Sequence, residues 1–92
     1  MEVNGYKIGS NENLSEAYLS GADLTGANLS LSNLSGADLS RSSLLYSNLT
    51  GADLSGANLT GADLSHSDLS RANLSGSQLN SANFTRALLS KA

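Results

Sequence analysis

The stretch GADLSGANLTGADLS, Gly51 to Ser65, states one five-residue unit three times, with Leu54, Leu59 and Leu64 at equal spacing. Working outward, the spacing never slips. A leucine stands at every fifth position from Leu14 to Leu89, with Phe84 as the single substitute, which makes sixteen units. Two residues before this centre stands a small residue, Ala or Ser, in every unit after the first. One before it is mostly Asp or Asn. One after it is Ser or Thr, except at Leu45 and Asn80. Two after it is most often Gly, and this position varies most.

A period of five suits neither common element. Five residues turn an α-helix by about 500°, so successive leucines would spiral round it and form no stripe. In one long strand, residues five apart point to opposite faces, which would leave half the leucines in water. Each unit therefore needs its own short extended piece and its own turn. In extended backbone the small residue and the leucine share a side, and the residue between them points out. The Ser/Thr and Gly that follow turn the corner, where Gly adopts unusual φ at little cost. Turns of one hand wind the chain into coils that stack as parallel strands about 4.8 Å apart, leucine over leucine.

The string GADLTGANLS…GADLSGANLTGADLS resembles the pentapeptide-repeat family, whose consensus is A-(D/N)-L-x-x. The resemblance runs from Glu12 to Lys91. It implies an all-β fold, a right-handed quadrilateral parallel β-helix with four units and twenty residues per coil. Sixteen units then make about four coils, roughly 19 Å tall at the strand spacing. Residues 1–11 are expected to form an N-terminal capping segment and residues 12–92 the β-helix. Within the cap, NGYKIG reads as a short strand with Tyr6 and Ile8 on one side, covering the first coil. At the other end the chain stops at Ala92, directly after the last unit. Leu74, Leu79, Phe84 and Leu89 are expected to be exposed there, and a tail-to-tail homodimer is the expected way of covering them.

Residues twenty apart should lie one above another, which turns the sequence into a surface map. The outward residues form four columns: Asn13, Asn33, Asp53, Asn73; then Tyr18, Asp38, Asn58, Gln78; then Asp23, Ser43, Asp63, Asn83; then Asn28, Asn48, Asp68, Leu88. No two aspartates are stacked neighbours, which avoids like-charge contacts, and the asparagines between them are expected to form amide ladders. The variable position stacks Tyr46, His66 and Arg86 without interruption, with Leu45 beside them, and puts Arg71 and Lys91 on the neighbouring edge. This strip of six residues is the expected contact for an acidic or phosphorylated protein partner, with a cation–π contact expected of Arg86. In the rest of the variable column the position is expected to face solvent and accept any residue.

The chain of 92 residues allows one domain. Its net charge of −3 argues against direct nucleic-acid binding. It has no Cys, so no disulfide and no thiolate metal site. No stretch is apolar enough to span a membrane, and the N-terminus does not read as a signal peptide, so a cytoplasmic location is expected. His66 is the single histidine, no serine has a base or nucleophile elbow, and the Gly-rich run lacks a phosphate-loop lysine. No catalytic, cofactor or metal site is therefore expected. The expected role is that of a non-enzymatic structural or interaction module. The alternative comes from the family resemblance: some members imitate duplex DNA and bind DNA gyrase. Those are longer and strongly acidic, whereas duplex DNA carries one negative charge per roughly 1.7 Å and this chain is far sparser.

Overall fold

Asn-Gly is the strongest short signal for a tight hairpin turn, because both residues adopt positive φ readily. In the computed structural model, which describes residues 1–92, Asn4 and Gly5 have φ of 54° and 83°. They join β1 (Glu2–Val3) to β2 (Tyr6–Lys7) as an antiparallel pair. The single short strand expected over NGYKIG is thus the second arm of a hairpin. Val3 and Tyr6 pack on the core, and Ile8 is buried. The Tyr18 N–H donates to Tyr6 Oη at 3.1 Å, and Asn4 Nδ2 donates to the Tyr18 carbonyl at 3.3 Å. Lys7 pairs with Glu12 at 3.7 Å. These contacts fasten the hairpin to the first repeats.

From Asn13 onward the outward residues form parallel bridges to residues twenty further on, from Asn13–Asn33 to Asp68–Leu88. The bridges fall into four columns, so each twenty-residue stretch lies on the one before. The same backbone bonds repeat between each pair of neighbouring coils. The Leu14 N–H donates to the Asn33 carbonyl at 2.7 Å, the Glu16 N–H to the Ser35 carbonyl at 2.9 Å, and the Asn33 N–H to the Glu12 carbonyl at 2.9 Å. A bond from the Ala17 N–H to the Leu14 carbonyl closes the turn. Of 56 backbone hydrogen bonds only two lie within the hairpin strands, so the repeats supply nearly all backbone pairing.

Every centre leucine from Leu19 to Leu69 is fully buried. Burying one such side chain is worth about 1.5–3 kcal/mol, so the column of leucines is the main stabilising feature. Alanines fill the small positions between them, and where serine replaces alanine its hydroxyl must find a partner. Ser42, Ser67 and Ser77 donate to the carbonyls of Leu39, Leu64 and Leu74 at 2.6–2.7 Å, and Ser32 donates to that of Gly9 at 2.7 Å. The Ser47 hydroxyl has no such partner.

Candidate functional site

The variable position is built by a left-handed turn. All sixteen of its residues from Glu16 to Lys91 have positive φ, between 55° and 71°. Seven are Gly and nine are not. For a residue with a Cβ this conformation costs roughly 1–2 kcal/mol. The position therefore does not accept any residue freely, as solvent exposure alone suggests. Each of Glu16, Leu31, Arg41, Tyr46, His66, Arg71, Ser81, Arg86 and Lys91 stands where glycine would be less strained.

Long side chains here lie along the stack over the next coil. A Cβ built on Gly51 would come within 2.7 Å of Leu31 Cδ2, one on Gly36 within 3.1 Å of Glu16 Cγ, and one on Gly61 within 3.3 Å of Arg41 Cγ. Tyr46 does the same to His66. Their rings stack with centroids 4.7 Å apart and planes 18° from parallel. Leu45 is half-buried beside them, and Ser65 beneath it is buried. Arg86 follows in the same column, but the Tyr46–His66 stack is the sole aromatic or cation–π contact, so the contact expected of Arg86 is not made. Arg71 and Lys91 are exposed on the next turn of the coil. The structure thus lines up the six strip residues along two adjacent corners, with direct contact between two of them.

The outward Asn and Asp side chains are committed locally. Asp53 Oδ1 accepts from the Ser55 N–H at 3.0 Å and from its hydroxyl at 2.6 Å, and Asp63 is bonded in the same way by Ser65. Asn33 and Asn58 also accept from the N–H two residues on. The asparagines therefore close turns in place of the amide ladders expected between coils. The serine hydroxyl first, and the serine N–H second, hold the carboxyls of Asp38, Asp53 and Asp63 below their ordinary 3.8. Residue type carried this signal, since Asn and Asp two before a Ser or Thr favour such turns.

At the far end of the stack Leu74 and Phe84 are half-buried, while Leu79 and Leu89 are exposed. A surface cavity of about 450 Å³ lies there between Arg71–Ser75 and Lys91–Ala92. The four apolar residues named from the sequence do share this end. No three His, Cys, Asp or Glu side chains gather as they would round a metal ion. No helix is long and apolar enough to cross a membrane.

The family model described as pentapeptide repeats matches eight copies, over residues 13–44, 47–86 and 67–92. A comparison with curated proteins finds no match. Among solved structures, a pentapeptide repeat protein from the Arabidopsis thaliana thylakoid lumen is 32% identical with a TM-score of 0.71, over 85% of this chain and 58% of that one. One from the cyanobacterium Cyanothece is 36% identical with a TM-score of 0.65, over 88% of this chain and 58% of that one. HetL from the cyanobacterium Nostoc, involved in heterocyst differentiation regulation, is 36% identical with a TM-score of 0.58, over 87% and 46%. The chain spans about half to three-fifths of the length of these relatives. Matched by the family model over nearly every repeat, and alike in structure to three of its members, this chain belongs to the pentapeptide repeat family.

Proposed function

We propose that the chain is a non-enzymatic protein-interaction module. In this reading residues 12–92 form a right-handed quadrilateral β-helix of about four coils, and residues 1–11 cap it. Bridges at a constant separation of twenty, in four columns, support that form. The contact surface is the strip of Leu45, Tyr46, His66, Arg86, Arg71 and Lys91. The observation that carries it is the stack of Tyr46 on His66, made by two large side chains held at φ of 59°. Strained, exposed aromatic residues do nothing for the core, so their use lies at the surface. Replacing Tyr46 and Arg86 together with Gly and repeating a pull-down from the native cell tests this. At least one partner is expected to be lost, and an unchanged set refutes the strip. The proposed location of this exchange is the cytoplasm.

Two chains are proposed to meet tail to tail through Leu74, Leu79, Phe84 and Leu89. The exposure of Leu79 and Leu89 supports this. Light scattering should give twice the chain mass, and a monomer at high concentration removes the dimer. The competing reading, a DNA-mimic regulator of gyrase, is weakened by aspartates that never stack in adjacent coils. A supercoiling assay that responds to the protein would restore it.

A further inference from the structure

The strained residues are not spread evenly round the stack. The two corners that flank the column of Asn28, Asn48, Asp68 and Leu88 hold the variable residues Gly26, Tyr46, His66, Arg86 and Leu31, Gly51, Arg71, Lys91. Six of these eight are not glycine, although all eight have positive φ. On the other two corners only Glu16, Arg41 and Ser81 of eight are not glycine. Strain has therefore been accepted chiefly along the edges of one wall.

Charge divides along the same line. This wall carries Arg71, Arg86 and Lys91 against one carboxylate, Asp68, a formal +2. The rest of the molecule carries Lys7 and Arg41 against seven carboxylates, a formal −5. The sole ion pair is Lys7–Glu12, so the three wall cations have no partner within the chain. The wall also holds exposed apolar groups, Leu31, Tyr46 and Leu88. Two of them, Leu31 and Tyr46, lie in the earlier coils, while Leu88 lies in the last coil among the three cations, which all belong to the later coils.

We infer that this wall is a docking face for an extended acidic segment of a partner protein, with an apolar residue at one end and carboxylates at the other. The inference deepens the interaction reading above and rests on it. From Leu31 to Lys91 is three coil spacings, roughly 14 Å, which about five extended residues span. A longer polyanion fits poorly. Where it ran off the wall it would approach the other walls and the N-terminal segment, over which the seven remaining carboxylates are spread, and any that lie within a Debye length of about 8 Å would repel it. A short acidic segment stays over the wall. Tyr and Arg are also the side chains that most often dominate the binding energy of protein contacts.

The test uses the whole chain and a fluorescent peptide of one leucine followed by a short run of glutamates, read by anisotropy at low and at high salt. The peptide should bind at low salt and be released by high salt, and a glutamine version should not bind. Replacing Arg71, Arg86 and Lys91 together with Gly should weaken binding about tenfold or more, the sum of three modest surface pairs. The same variant should melt no lower than the parent, because glycine relieves the positive φ at each site. Arg41→Gly, on another corner, should leave binding unchanged. No binding at low salt overturns the inference, and so does equal loss in Arg41→Gly. Tighter binding to duplex DNA or to anionic lipid vesicles than to the peptide overturns it in favour of those partners. If the Tyr46 and Arg86 variant loses a cellular partner while the acidic peptide fails to bind, the strip stands and the acidic occupant falls.

Discussion

Arg71 and Gly56 hold the same place in their units, with φ of 63° and 68°. Chemically they have little in common, and conformationally they do the same thing. A Cβ on Gly56 would meet nothing closer than 3.9 Å, so space does not oppose a side chain there. Backbone strain does. Gly56→Ala is expected to destabilise by about 1 kcal/mol, and Arg71→Gly to stabilise by a similar amount. Each should move the melting temperature by about 4–8 °C, in opposite directions. Two unchanged melting curves would show that the turn imposes no such cost. This feature was hidden in the sequence at Tyr46, Arg71 and Arg86, because those residue types carry no preference for positive φ. Only their shared register with Gly21, Gly56 and Gly61 discloses it.

The unit itself is an extended triplet closed by a turn, and its outward Asn or Asp does the closing. The carboxyls of Asp38, Asp53 and Asp63 are held below 3.8 by the hydroxyl and N–H of the following serine, so folding favours their charged form. Their contribution is present above 3.8 and disappears as pH falls through the lower folded values. Melting temperature is therefore expected to drop in acid. Asn keeps the Oδ1 acceptor but has no charge to lose, so Asp38→Asn, Asp53→Asn and Asp63→Asn combined should flatten that drop, chiefly by lowering the neutral melting temperature towards the acid one. Identical profiles for variant and parent would refute the link. At this scale the sequence was legible for the core and less so for the ends. The spacing of five located the buried leucines from Leu14 to Leu69. The hairpin lay in plain view at Asn4-Gly5, yet the alternation of Tyr6 and Ile8 reads just as well as a lone strand. The amide ladders failed because each Asn found a donor two residues along its own chain before it met its neighbour in the next coil.

Across the whole molecule, stability is distributed along an axis, since each coil touches only the coils above and below. Leu54 is fully buried and Leu79 is 39% exposed, though both hold the centre of a unit. Leu54→Ala should cost about 2–5 kcal/mol in chemical denaturation, and Leu79→Ala a fraction of that. Equal losses would show that the last repeats are as well packed as the middle ones. The bridge separation of twenty also governs what insertions and deletions can do. Removing Gly56 to Thr60 would keep every leucine in phase, so the interior would not register the change. Everything downstream would shift back by one column, and Arg71 rather than His66 would come to lie under Tyr46. Losing or gaining one unit thus rewrites the surface and leaves the interior intact, while steps of four units spare both. Such a chain can lengthen, shorten and re-sort its surface columns through replication slippage alone, with no substitution in its core.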